Sequence, residues 1–325
     1  MPKVDLEQPE HEELILRRGK RSGLYTIVAV HSTVRGPSLG GCRMWHYPDP
    51  YLGVNDALRL SRAMTFKSAV ANLPLGGGKG VIVLPEEKIS AKRRKDALYD
   101  FAETVDLLGG RYITAEDVGT SARDMSVIAS ETKHVAGLAR KQGGSGDPSP
   151  YTALGVVAAI KSVARRSLGV DSLAGLTITV IGAGHVGGRV AKLVAKDGAK
   201  LILADVDKSK RELASSLGAR WLTPEKALYA RADVLAPCAL GGVLTPAAVP
   251  QLQTKAIAGA ANNQLEQESV AKLLTKAGIL WAPDFVANAG GIINICQERG
   301  TYDPKAAAEH VKGIGDTLEQ IFDRA

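Results

Sequence analysis

The sequence predicts an α/β protein of two domains, one of them built on a parallel sheet. Three observations carry the prediction. The 325 residues exceed the roughly 100–200 expected of a single domain. Beyond a stretch rich in Gly, Ser, Asp and Pro at residues 142–150, short apolar runs alternate with helical ones, as in a parallel sheet covered on both faces. One strand-to-helix junction in that half reads Gly182-Ala183-Gly184-His185-Val186-Gly187.

Each element has a local reason. Residues 13–17 and 24–31 are short β-rich runs around a Gly19-to-Gly23 turn. Residues 55–70 place Leu58, Ala63, Met64 and Phe66 at helical spacing. Residues 81–84 form a buried strand that Pro85 stops, and Ser90 caps a helix carrying Ala97, Leu98, Phe101, Val105 and Leu108 that ends at Gly109-Gly110. The 142–150 stretch reads as a linker, with Ser149 and Pro150 as N-cap and first residue of a helix over 151–168. Strands follow at 176–181, 200–204, 234–236 and 256–258, with helices at 186–196 and 208–217 between them. An amphipathic helix over 304–322 comes last.

Composition excludes several classes. Hydrophobic residues at 45% and charged residues at 23% are globular proportions. Cys42, Cys238 and Cys296 are too few and too scattered for a disulfide framework or a zinc site, which predicts a reducing compartment. Residues 1–19 are charged and lack an apolar signal core, and no run approaches 18 apolar residues, so a cytoplasmic protein off the membrane is expected. The net charge of +7 is dispersed, and the densest basic block, 91–95, is followed by Asp96, Asp100 and Glu103. That reads as a solvated helix face rather than a nucleic-acid surface. The six histidines form no ligand cluster, so no metal is expected.

The glycine junction carries the first chemistry. An apolar strand precedes it, a helix follows, and a second strand ends in Asp205, 18 residues beyond Gly187. This is the Rossmann arrangement: Gly182, Gly184 and Gly187, with His185 and Val186 between them, bring backbone N–H groups to a pyrophosphate. Asp205 accepts from a ribose diol and repels a 2′-phosphate, which favours NAD over NADP, although Lys208, Lys210 and Arg211 stand nearby.

The first half offers two lysines. Lys79 follows Gly76-Gly77-Gly78 and precedes the buried strand, where backbone is open and excluded solvent lowers an ammonium pKa. Lys67 sits near the end of the preceding helix, and Glu116-Asp117 ends a short strand.

These segments do not stand alone. Residues 36–44, the Lys67 and Lys79 runs and 114–119 occur in the order found in the amino-acid dehydrogenases of the glutamate, leucine, valine and phenylalanine group. So do 236–241, 259–264 and 282–291, and the resemblance extends over about residues 12–322. Arg43-Met44-Trp45 and 112–119 look most like the leucine-specific members. The resemblance implies that Lys79 is the general base activating water and that Asp117 exchanges a proton with the amino group. Lys67 would hold the α-carboxylate beside Gly40 and Gly41. Asn262 would serve the substrate carboxylate or the nicotinamide, and Thr152 the carboxamide, with Ala236, Pro237, Cys238, Ala261 and Asn288 also on the cofactor. In the glutamate-specific members a lysine precedes the paired glycines, and here that position is Leu39. With Ala115, Ala136, Ile292 and Ile295 it would form an apolar side-chain pocket.

The expectation is therefore NAD-dependent, reversible oxidative deamination of leucine, valine or isoleucine by a homo-oligomer with a cleft between its domains. Phenylalanine or tryptophan as substrate, or an inactive nucleotide sensor, are the alternatives. Residues 1–145 form the substrate, catalytic and oligomerisation domain, rejoined by the C-terminal helix at about 304–325. Residues 146–303 form the Rossmann domain. Members of the group often continue past the last helix, which leaves assembly as the open point.

Overall fold

A computed structural model describes residues 10–299 and 302–325. The chain divides into two compact units, one running to Asp147 and taking back Ile295–Tyr302, the other comprising Pro148–Asn294 and Asp303–Ala325.

In the first unit five strands, β1 (Glu13–Arg18), β2 (Tyr25–Ser32), β3 (Ser38–His46), β4 (Gly76–Leu84) and β5 (Tyr112–Glu116), form one sheet. Its order is β1-β2-β4-β3-β5, with β3 parallel to both neighbours and β2 antiparallel to β1 and β4. Three helices cover it: α1 (Pro50–Val70), α2 (Ala91–Asp106) and α3 (Ala122–Ala129). The period-two alternation of the strands sorts the core. Ile27, Ala29, Val81 and Val83 pack with Val54 and Ala57 of α1. Val28, Val30, Cys42, Met44 and Ile82 pack on the other face with Leu98, Phe101, Met125 and Ile128 of α2 and α3.

Three boundaries differ from the sequence reading. The first helix begins five residues earlier, at Pro50, because the Asp49 carboxylate caps it by accepting from Tyr51 N at 2.9 Å. The Gly40-Gly41 segment, to which the sequence reading assigns no element, lies inside a full strand. Lys79 and the three glycines before it also belong to strand β4, not to an open loop. Contacts explain why the glycines are there. A Cβ on Gly77 would meet Thr65 N of α1 at 2.1 Å, and one on Gly78 or Gly80 would meet the Tyr112 side chain.

The second unit holds a parallel sheet of β6 (Thr177–Ile181), β7 (Lys200–Ala204), β8 (Arg220–Leu222), β9 (Val234–Pro237), β10 (Ala256–Ile257) and β11 (Leu280–Trp281). Its order, β11-β10-β9-β6-β7-β8, runs one way from β6 and reverses at β9, the doubly wound pattern. Around it lie α4 (Ser149–Leu168), α5 (Gly187–Lys196), α6 (Arg211–Ser216), α7 (Pro224–Leu228), α8 (Ser269–Lys276), α9 (Asp284–Ala287), α10 (Gly290–Cys296), α11 (Pro304–Lys312) and α12 (Ile314–Arg324).

The expected return of 304–325 to the first unit is corrected by the packing. That segment is two helices broken at Gly313, and its stripe of Ala307, Val311, Ile314 and Leu318 is buried with α4. Ser162 Oγ donates to Glu319 Oε1 at 2.9 Å, and Arg166 Nη1 to Asp323 Oδ1 at 2.8 Å. The segment that does return is 295–302. Glu298 accepts from Gly137 N at 3.0 Å and from Ser145 N at 2.6 Å, tying both amides to the returning chain.

Gly80 gives the fold a direct test. A Cβ there would lie 2.4 Å from the Phe101 ring. Gly80→Ala is expected to lower unfolding free energy by about 1–3 kcal/mol through overpacking; urea denaturation with an unchanged midpoint would contradict this contact.

Candidate active site

In the first unit the sheet brings charged groups from three strands to one face. Arg43 is the Cα partner of Val81, and Gly41 of Ala115, so these positions share the face that packs α1. Gly40 and Gly41 allow the strands to close. A Cβ on Gly40 would lie 1.7 Å from Gly78 O, and one on Gly41 would meet Glu116 O and the Asp117 side chain.

Past β5 a tight loop aims Asp117. Thr120 Oγ1 accepts from Asp117 N at 2.9 Å and donates to Cys42 O at 2.8 Å, and Met44 N donates to Val118 O at 3.0 Å. Gly119 closes the loop at φ +82°, with a Cβ position only 1.9 Å from Met44 O, so only glycine fits.

The result is a charge cluster. Lys79 Nζ donates to Asp117 Oδ2 at 2.7 Å, and Arg43 Nε donates to the same oxygen at 2.9 Å. Arg43 Nη1 reaches on to Asp56 Oδ2 at 2.7 Å, which also accepts from Tyr47 OH at 2.7 Å. Arg59 Nη2 donates to Asp56 Oδ1 at 2.8 Å. Lys79 is 5% exposed. Burial pushes its ammonium below the ordinary range, Asp117 pulls it back, and Arg43 pushes it down again, leaving it lowered overall. For Asp117 burial works against the charge, but Lys79 and Arg43 outweigh it and hold the carboxyl below its ordinary value. Lys67 lies half-buried in the last turn of α1, the helix packed on this face.

Of the side-chain-pocket positions, Leu39, Ala115 and Ala136 are buried in the first unit, and Ala136 N donates to Thr114 O at 2.7 Å. Ile292 and Ile295 are buried on α10, where the division into units falls between them.

In the second unit the glycine junction joins β6 to α5. Gly182 takes φ +102°, and Gly187 packs so close that a Cβ would meet Gly182 O at 1.9 Å. A Cβ on Gly184 would meet nothing within 4 Å, so this glycine faces open space, as approach of a pyrophosphate to backbone requires. Asp205 Oδ2 accepts from Ala183 N at 2.6 Å, which places the acid against the loop. His185 is exposed and Val186 half-buried at the start of α5. Cys238 N donates to Ile181 O at 2.7 Å, bringing the end of β9 to the junction, and burial pushes its thiol up to about 12.

The other motifs of this half converge. Asn288 Nδ2 donates to Ala260 O at 3.1 Å and to Asn262 Oδ1 at 2.7 Å, and Asn263 N to Asp284 Oδ2 at 2.6 Å. Gly241 packs on Asn262 O and Asn263 O, and Gly291 leaves room for Thr152 Oγ1. Ala236, Pro237 and Ala261 are buried beneath them. Asn288 Oδ1 is buried with no hydrogen-bond partner among the described residues, an acceptor that a dinucleotide amide or hydroxyl would satisfy. These residues fit a dinucleotide. Among the described residues no helix is long and apolar enough to cross a membrane, and no group of three or more His, Cys, Asp and Glu is placed to hold a metal ion.

Comparison with known proteins gives this arrangement its place. Residues 11–134 match the family model of the Glu/Leu/Phe/Val dehydrogenase dimerisation domain, and residues 202–300 match that of Glutamate/Leucine/Phenylalanine/Valine dehydrogenase. The chain belongs to this dehydrogenase family. It is similar to the leucine dehydrogenase of Thermoactinomyces intermedius, 42% identical over 98% of this chain and 87% of that protein. It is equally similar to the L-tryptophan dehydrogenase of Nostoc punctiforme, 42% identical over 97% of this chain and 88% of that one. A crystal structure of the Nostoc punctiforme L-tryptophan dehydrogenase superposes with a TM-score of 0.83 at 38% identity, covering 97% and 89% of the two chains. The expected amino-acid dehydrogenase class and two-domain α/β fold therefore stand.

Sequence reasoning passed over three members of this geometry. Arg43 lies inside a quoted motif but received no role. Asp56 shows in the sequence only its i,i+3 partner Arg59, not its bond to Arg43, and Glu298 carries no local signal because it binds backbone amides.

Both pKa values are lowered, and because one group is a cation and the other an anion the two shifts predict opposite effects on stability. Asp117 has its pKa depressed by folding, so its contribution is full above the ordinary value of 3.8 and is lost as pH falls through the lower folded value. Asp117→Asn should cost about 1.5–3 kcal/mol at neutral pH. The Lys79 ammonium is disfavoured by folding at all pH below its ordinary 10.5, so Lys79→Met should raise the melting temperature at pH 7. Calorimetry of both variants checks the pair of signs.

Proposed function

We propose that the chain catalyses reversible oxidative deamination of an aliphatic L-amino acid to its 2-oxo acid and ammonia, with NAD as cofactor. The observation that supports this most is the pairing of buried Lys79 with part-buried Asp117 on the face that carries Leu39, Gly41 and Ala115. The dinucleotide, when bound, supplies the acceptor for the hydride leaving the substrate α-carbon. This chain's residues do the rest. Lys67 neutralises the α-carboxylate and fixes the α-carbon, because a carboxylate leaving water needs a held cation. Lys79, whose ammonium form burial disfavours, takes a proton from the water that attacks the imino carbon. Asp117 passes a proton to and from the nitrogen, so that ammonia can leave. Gly182, Gly184, His185, Val186 and Gly187 receive the pyrophosphate, Asp205 the adenosine ribose, and Thr152, Asn262 and Asn288 the nicotinamide end, with Ala236, Pro237, Cys238 and Ala261 as its floor. A homo-oligomer is supported by the match of residues 11–134 to a dimerisation domain.

Leu39, Ala115, Ala136, Ile292 and Ile295 are all buried and apolar, which supports a hydrocarbon side chain as the group they receive. A carboxylate left there without a partner costs several kcal/mol, so glutamate should be a very poor substrate. Relatives acting on leucine and on tryptophan are equally identical to this chain, so overall identity does not choose between them. The branched apolar residue types at these positions favour leucine, valine and isoleucine.

Kinetic constants for leucine, valine, isoleucine, phenylalanine, tryptophan and glutamate with NAD test this. A clear preference for glutamate would sink the pocket argument, and a tenfold preference for an aromatic amino acid would sink the aliphatic one. Lys79→Ala should lower turnover by about 10²–10⁴-fold while dinucleotide binding persists. Asp205→Ser should weaken NAD about tenfold and improve NADP, since a hydrogen bond to a charged group is worth about 1.5–3 kcal/mol. NADP already preferred by the unaltered protein would overturn the role of Asp205.

A further inference from the structure

Arg43 is the least explained member of the first-unit cluster. Its guanidinium spans two carboxylates, donating through Nε to Asp117 and through Nη1 to Asp56, and it is mostly withdrawn from solvent. The oxygen it shares on Asp117 is the one that Lys79 binds. Tyr47 and Arg59 hold Asp56 in turn, so the guanidinium is fixed at both ends.

We propose that Arg43 is a positioning residue for the reaction, sharing Asp117 Oδ2 so that Asp117 can orient Lys79 without locking a proton onto it. The inference rests on the reading of Lys79 as the general base.

The reason is a conflict within the pair. A carboxylate 2.7 Å from a buried amine orients it well but also favours its ammonium form, which cannot accept a proton. Were Asp117 alone beside Lys79, deprotonating the lysine would strand an unpaired buried carboxylate. With Arg43 on the same oxygen, the carboxylate stays paired when Lys79 gives up its proton, because a guanidinium does not titrate in the working range. The charges also balance. Asp117 and Asp56 are offset by Arg43 and Arg59, so the cluster is neutral when Lys79 is neutral. The direction of the Lys79 shift agrees, since Arg43 pushes it down where Asp117 pulls it up.

Other groups stand around the cluster. On the face of α1 are Lys67 and, on β2, His31, which bonds Thr65 and is pushed down mainly by burial. Glu116 precedes Asp117 on β5. On the opposite face of the sheet, burial pushes the Cys42 thiol and the Tyr112 phenol above their ordinary values, so both are neutral, and Arg94 is paired with Asp124. Arg43 touches the Lys79–Asp117 pair directly, through the bond from its Nε to Asp117 Oδ2.

The test is the pH dependence of kcat/KM for oxidative deamination, with NAD and the best L-amino acid, in the unaltered protein and in Arg43→Gln, Arg43→Lys and Lys79→Ala. Melting curves and NADH fluorescence titration establish that each variant is folded and binds dinucleotide. In Arg43→Gln the acid limb should move up by about one pH unit, with roughly tenfold loss near pH 7 that is recovered at alkaline pH. Arg43→Lys keeps a cation and should move the limb less. Should Arg43→Gln fail to fold, Arg43→Met removes the same charge while keeping the aliphatic stem, with the same shift expected. A loss that is uniform across pH, with the limb unmoved, overturns the proposal and leaves Arg43 a structural contact. Lys79→Ala separates the two ideas. Full turnover in that variant removes the base reading itself, whereas an inactive Lys79→Ala with an unmoved limb in Arg43→Gln removes only the role given to Arg43.

Discussion

One oxygen atom, Asp117 Oδ2, is the point on which the first unit is organised. It accepts from a lysine on β4 and an arginine on β3, while its own residue hangs from the end of β5. Three strands must therefore arrive at one place within about a side chain's length. The Gly40-Gly41 pair removes the Cβ atoms that would hold β3 away from β4 and from the Asp117 loop. Thr120 and Gly119 then lock that loop onto the β3 backbone through Cys42 O and Met44 O. Glycine is used here for absent volume more than for flexibility: Gly40 and Gly41 have ordinary strand backbone and only Gly119 needs positive φ.

The second unit solves a different problem with the same device. A dinucleotide's pyrophosphate needs backbone donors, so side chains must be removed where it approaches and where the helix start must close on the strand. Gly187 serves the closing contact and Gly184 the approach, since one Cβ position is occupied and the other open. The reversal of strand order between β6 and β9 leaves the ends of these strands side by side, and Cys238 N to Ile181 O records their meeting. Around this point the loops after β9 and β10 and the segment after β11 interlock through Gly241, Asn262, Asn263, Asp284 and Asn288.

Legibility followed range. The Gly182–Gly187 junction and Asp205 could be read because strand, turn, helix and acid follow one another within one βαβ unit. Lys79 reads from the sequence as standing on open backbone before the strand, because three successive glycines imitate a turn; what makes them strand is Tyr112 and α1 pressing on them from other segments. Arg43 and Asp117 are 74 residues apart, and no spacing rule joins them. The C-terminal helices show why an amphipathic stripe is incomplete information. It announces that Ala307, Val311, Ile314 and Leu318 will be buried, but not against what. The partner is α4, where the bare surface of Gly155 leaves room for Ile314 and Ser162 and Arg166 bond Glu319 and Asp323.

The same geometry lets chemistry and selectivity vary independently. Leu39, Gly41 and Arg43 lie along one face of a single strand, with Ala115 on its neighbour and Asp117 on the loop just past that strand's end. The charged positions are held by hydrogen bonds to one another, to Thr120 and to Asp56, none of which involves Leu39 or Ala115. Exchanging an apolar side chain at those two positions changes the volume and polarity of this face while the bonds on Asp117 Oδ2 remain. The family model that the chain matches is named for glutamate, leucine, phenylalanine and valine alike, as expected where one face can vary beside a fixed charge cluster. The constraint that does not relax is the paired glycine between Leu39 and Arg43, because any Cβ there displaces β4 or the Asp117 loop, and with them the lysine and the carboxylate together.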